Sequence, residues 1–130
     1  MEELKEFIKR HKTNEEKSKD FGMYLDTLMA KHGFKKDSEL YNKANISKQS
    51  WSLIISGKVT PSLNTLVKIA FALEVDNHEC KYLFKKAGYT LASSSDYALI
   101  IRYCIENKIY DLYTLNEYLK EYGFEDSLID

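Results

Sequence analysis

Proline occurs once and glycine five times in 130 residues, too rarely to punctuate a chain of short strands and tight hairpins. Strand-like alternation of apolar and polar residues is also absent, which leaves helices throughout. Cysteine is scarce: Cys80 and Cys104 are widely spaced, each among apolar neighbours in a helical pattern, so reduced core thiols are expected rather than a disulfide or a metal site. No apolar run reaches the roughly 18 residues that a membrane helix needs. The first twenty residues, MEELKEFIKRHKTNEEKSKD, are too charged for a secretory signal, and a soluble, cytoplasmic protein without membrane contact is expected. An excess of one charge is missing as well. The net charge of −1 and pI near 6.3 exclude a general polyanion binder, so any nucleic-acid contact must come from a local patch.

The signatures of catalysis and metal binding are missing too. His11, His32 and His78 are solitary, with no second ligand at helical or hairpin spacing. The Ser93-Ser94-Ser95 run lacks a Gly-x-Ser-x-Gly frame and precedes a helix, where capping explains it. No glycine-rich loop stands ready to cradle a phosphate. The expectation is a protein that is not an enzyme, with no catalytic residues, no metal and no cofactor.

What is present is a 44% hydrophobic content, enough for a real core, and one stretch around which the chain is organised, Ser38 to Leu73. A brief helix from Leu40 breaks at Asn45, a residue type that tolerates a left-handed backbone. Ile46 follows as a buried plug, and Ser47 offers an N-cap oxygen to a new helix running to Ser56. Trp51 and Ile54 fall on one face of that helix, and Lys48, Ser52 and Ser56 on the other with Gln49 at its edge. Gly57 stops it. After Lys58-Val59-Thr60, Pro61-Ser62 opens a further helix with an apolar stripe of Leu63, Leu66, Val67, Ile69, Ala70 and Leu73. No acid lies between Glu39 and Glu74, whereas Lys43, Lys48, Lys58 and Lys68 do. A cationic, acid-free patch suits a phosphate backbone.

The run NISKQSWSLIISGKVTPSLNTLVKIAFALEV resembles the lambda-repressor-like, or XRE, helix-turn-helix family of bacteria and phage. Ile46-Ser47, Ile54 and Gly57-Lys58-Val59-Thr60-Pro61-Ser62 occupy the family's motif positions, and Phe21-Gly22, Leu25, Gly33-Phe34 and Leu40 fall near its first helix and the start of its second. The resemblance covers about residues 20 to 88. It implies five helices, transcription regulation through double-stranded DNA, and a twofold homodimer.

Three parts are expected along the chain: residues 1–19 as an amphipathic helix (Leu4, Phe7, Ile8, His11) and a polar linker, 20–88 as the DNA-binding domain, and 89–130 as a helical hairpin. The first helix would dock on the main body or on a second copy. The domain's first helix spans Asp20 to Gly33, and Asp76 with Glu79 forms a capping box for its last, Asp76 to Ala87. In the hairpin, Ser95 caps a helix from Asp96 to about Asn107, and Thr114 with Glu117 caps another through Tyr122. The hairpin resembles a tail found in a group of little-characterised bacterial proteins; its many tyrosines make it a candidate for dimerisation or a protein partner. The whole is an all-α chain, a five-helix domain with an added N-terminal helix and C-terminal hairpin.

In the DNA-binding reading the start of the recognition helix meets the bases, with Gln49 on adenine, Lys48 on guanine or a phosphate and Ser52 on either kind of edge; Ser47 belongs to the same DNA-binding set, and Lys36, Lys43 and Lys58 clamp phosphates. Leu53 and Ile55 lie at the edge of, or on, that face, where many members of the resembled family carry charged or polar groups; a thymine methyl accepts such an aliphatic contact. They equally suit a protein, as in a toxin-neutralising or adaptor subunit on the same scaffold.

Overall fold

In a computed structural model describing residues 3–11, 14–91 and 94–124, every regular element is a helix: α1 (Leu4–His11), α2 (Asn14–Lys31), α3 (Asp37–Lys43), α4 (Lys48–Ile55), α5 (Leu63–Leu73), α6 (Asn77–Lys86), α7 (Asp96–Glu106) and α8 (Leu112–Glu121). The all-α class and the five-helix domain, α2 to α6, are as the sequence implied. Ser47, Ser62 and Ser95 cap α4, α5 and α7, each accepting from the amide three residues on. The Asp76–Glu79 capping box on α6 is complete in both directions.

Each of α2 to α8 also ends in one way, with a residue at positive φ: Gly33, Asn45, Gly57, Glu74, Gly88, Lys108 and Gly123. The next amide then bonds back to a carbonyl of the last turn, as in Ile46 N–H to Tyr41 O at 2.8 Å. At most of these ends the returning residue is apolar (Phe34, Ile46, Val75, Tyr89, Ile109 or Phe124) and packs on the core. At the end of α4 it is Lys58, which is exposed.

Burial explains the packing. α5 is buried almost all round, from Leu66 to Leu73, and is the central helix. Phe21, Leu25, Leu28 and Met29 of α2 join the same core, as do Leu40 of α3, Trp51 and Ile54 of α4, and Leu83 and Phe84 of α6. Ile101, Cys104, Ile105, Leu115 and Leu119 of the hairpin belong to it too, so the tail is built onto the domain. Tyr110 makes the joint: its ring meets Phe71 edge-on at 5.7 Å, and its hydroxyl donates to the Val75 carbonyl at 2.7 Å. Tyr110→Phe is expected to cost about 1 kcal/mol, the net worth of one such bond, in a chemical unfolding titration. Cys80 and Cys104 are free and buried; burial pushes their thiols up to about 12 and about 11.

The structure corrects four expectations. The expected linker is helical from Asn14, where α2 begins, its Thr13 lying outside the described residues: the stretch has no Gly or Pro, and its Glu and Lys are good helix formers. α3 starts at Asp37, ahead of Leu40, with Asp37 and Glu39 in its first turn, where acids are favoured. α8 starts at Leu112 on an Asp111 cap, which accepts from the Tyr113 amide at 3.1 Å and the Thr114 hydroxyl at 2.8 Å; Thr114 is the cap's partner and not the cap. Finally, Leu4 and Ile8 of α1 do not rest on the main body, one of the two places expected for them, and are 72% and 57% exposed.

A polar joint closes the domain between its ends. The buried Glu79 carboxylate accepts from Lys31 at 2.8 Å, His32 at 3.1 Å and the Asp76 amide at 3.0 Å. Burial alone would raise its pKa, but Lys31, the Asp76 amide and His32 together hold it below its ordinary value of 4.5. The unfolded chain therefore takes up this proton first. The stability Glu79 contributes is whole above pH 4.5 and is lost as pH falls through the lower folded value. Glu79→Ala is expected to cost about 1 to 3 kcal/mol at neutral pH. In thermal melts the gap between variant and parent should narrow below pH 4.5; a gap independent of pH would remove the carboxylate as its source.

Candidate nucleic-acid interface

The site is built around α4. Trp51 and Ile54 are buried and fix its inner side. The Trp51 indole N–H donates to Asp37 Oδ2 at 2.9 Å, and the ring lies 6.0 Å from that of Tyr41. The helix before the turn thus holds the helix after it both by packing and by one directed bond. The α3–α4 corner itself is Asn45 at φ 57°.

With about 100° between successive residues, the direction opposite Trp51 and Ile54 falls among Gln49, Ser52, Leu53 and Ser56, all exposed. Lys48 and Ile55 flank this face on one side and Ser50 on the other. Gln49 carries two amide donors and an acceptor, and Ser52 a hydroxyl that donates or accepts, so the face presents groups suited to base edges. Leu53 and Ile55, 41% and 38% exposed, add an aliphatic edge.

The expected residues do not all share this environment. Lys48, Gln49, Ser52 and Lys58 are exposed on α4 or just after it, and Lys36 is exposed at the N-cap of α3. Ser47 is occupied as a cap: its oxygen accepts from the Ser50 amide at 3.1 Å and its hydroxyl donates to Ser50 Oγ at 3.0 Å. Lys43 is turned to Glu74, 3.1 Å away, and lies over the Phe34 ring. Its partner stands 31 positions downstream, beyond the reach of any local pattern.

Asp37 is the positioning residue that the sequence reading missed. The available signal was the acidic opening of α3, Asp37-Ser38-Glu39, where the first carboxylate follows the Lys36 cap. The loop from Gly57 to Pro61 then carries Lys58 outward while the Pro61 carbonyl accepts from the Tyr89 hydroxyl at 3.0 Å. The loop beside α4 is therefore anchored from behind by the segment leading into the tail. No helix among the described residues is long and apolar enough to cross a membrane.

Comparison with known proteins agrees with this geometry. Residues 24–79 match the Cro/C1-type HTH DNA-binding domain; no curated protein and no solved structure matches the chain significantly. The match runs from Tyr24 within α2 to Glu79 within α6 and takes in α3, α4 and α5 whole. With its corner at Asn45 and its outward helix at α4, the chain carries a Cro/C1-type helix-turn-helix domain of the lambda-repressor-like class over residues 24–79.

Proposed function

We propose that the protein is a sequence-specific, DNA-binding transcriptional regulator that acts as a homodimer in the cytoplasm or nucleoid. The observation that carries this reading is the exposed face of α4, held from behind by Trp51, in a segment without acids from Leu40 to Leu73. α4 enters the major groove with its N-terminal end toward the bases. Gln49 pairs with an adenine edge, Lys48 reaches guanine or a phosphate, Ser52 reads either way, and Leu53 packs on a thymine methyl. Lys36 and Lys58 neutralise phosphates. Ser47 contributes by capping α4, and Lys43 exchanges its exposed partner Glu74 for a phosphate.

Selection from a pool of random duplexes at two salt concentrations tests the reading. A palindromic motif should be recovered, with affinity falling steeply as salt rises because several phosphates are neutralised. No enrichment at low salt would sink it. One observation favours a second reading, a protein-interaction module: Leu53, Ile55 and Val59 together leave an aliphatic edge open to solvent. On that reading α4 and the tail hairpin hold a protein, and the duplex pool returns nothing.

A further inference from the structure

Seven helix ends among the described residues carry a positive φ, and five of them use Gly or Asn, the types that take this conformation most readily. Glu74, at the end of α5, and Lys108, at the end of α7, do not belong to those types. Both border one groove of about 380 Å³. Residues other than glycine held in this region of the backbone gather at ligand clamps and switch sites, and here two of them share a wall.

The groove lies where the domain meets the tail, between the end of α3, α5 and the turn from α7 to α8. Each of these elements brings one lysine to it: Lys43, Lys68 and Lys108. Lys43 is held by Glu74 at 3.1 Å, whereas Lys68 and Lys108 make no ion pair among the described residues. The other carboxylate in the lining, Asp111, has its oxygens engaged by the Tyr113 amide and the Thr114 hydroxyl as the cap of α8. Two ammonium groups are therefore left over beside a floor in which Tyr110 and Leu112 are half-buried. The Tyr110 hydroxyl donates to the Val75 carbonyl, which leaves its ring as the part that a ligand can use.

We propose that this groove binds a small organic phosphate, a phosphate monoester carried on a flat apolar body of mononucleotide size. Such a monoester bears a charge of about −1.5 to −2 near neutral pH, which two ammonium groups match. Lysine binds phosphate as a point charge, and no arginine lines the groove to clamp a carboxylate through two parallel bonds. The volume lies at the lower end of the roughly 300 to 1,000 Å³ of small-molecule sites, room for one ring system against Tyr110 and Leu112. Glycine at position 108 would suit the backbone better but would bring no cation, which gives the lysine a reason. Because the walls come from both the domain and the tail, an occupied groove fastens the joint that Tyr110 makes. No residue of α4 lines the groove, so the site stands or falls apart from DNA binding.

The test is calorimetric titration of the DNA-free, full-length chain at low salt with the four nucleoside 5′-monophosphates in turn, and with inorganic phosphate and the free nucleosides as their two halves. At least one monophosphate is expected to bind at a single site and to raise the thermal melt. Lys68→Gln and Lys108→Gly should each weaken it about tenfold or more, the worth of one hydrogen bond to a charged group. Lys108→Gly should do so with the melt of the empty chain in place, because glycine takes that backbone freely. Failure of all four to bind would overturn the proposal, as would binding that survives both lysine changes. Inorganic phosphate held as tightly as the monophosphates would overturn the apolar half of the site. Displacement of the nucleotide by a random-sequence duplex would assign the two lysines to the DNA backbone and overturn a separate site.

Discussion

Trp51→Ala is expected to lower the free energy of unfolding by about 3 to 5 kcal/mol, the range for deleting a large buried aromatic. The side chain is buried and packs near Tyr41, and its removal opens a cavity under the helix that faces outward. The indole N–H bond to Asp37 is lost as well. Trp51→Phe separates these contributions: it keeps most of the ring volume and loses the donor, so about 1 to 2 kcal/mol is expected. Urea unfolding followed by far-ultraviolet circular dichroism measures both. Equal losses from Ala and Phe would mean that the bond to Asp37 and not the packing fixes α4. Losses below about 1 kcal/mol from Ala would show that α4 does not depend on this anchor.

Lys48→Glu combined with Gln49→Ala is expected to weaken binding to the selected duplex by about 100-fold or more while leaving the thermal melt unchanged. A bidentate side-chain-to-base pair is worth about 1 to 3 kcal/mol, and reversing a charge beside phosphates adds repulsion. At about 1.4 kcal/mol per factor of ten, the sum reaches two decades or beyond. The single changes differ in kind. Gln49→Ala should relax preference at one base position, whereas Lys48→Ala should weaken all sequences alike and reduce the salt slope by about 1 if its contact is to phosphate. Unchanged affinity of the folded double variant would remove α4 as the reader.

Local signals in this chain were legible and distant ones were not. Ser47, Ser62, Ser95 and the Asp76–Glu79 box could be read because a cap and its amide lie three residues apart. Asn45 could be read because few residues suit a left-handed corner. Glu74 and Lys108 take the same backbone conformation without belonging to the types that favour it, so those two helix ends carry no residue signature. Thr114 and Glu117 fit the capping-box template, yet Asp111 captures the helix start because its carboxylate reaches both the Tyr113 amide and the Thr114 hydroxyl. In the interface, the outward face of α4 followed from periodicity. Lys43 with Glu74, Trp51 with Asp37, and Glu79 with Lys31 and His32 are tertiary pairings, fixed only once α2, α3, α4, α5 and α6 have packed. Which lysine is open to a phosphate and which is already engaged is decided at that level.

Trp51 is the chain's single tryptophan, and it sits under the outward helix with its indole held by Asp37. Red-edge excitation, which bypasses the ten tyrosines, therefore yields emission from this one joint. A duplex that tilts α4 against α3 should shift that emission, while a duplex held only through exposed lysines should leave it in place. The unmodified protein thus carries its own optical gauge of whether a ligand engages the helix or merely the charge around it.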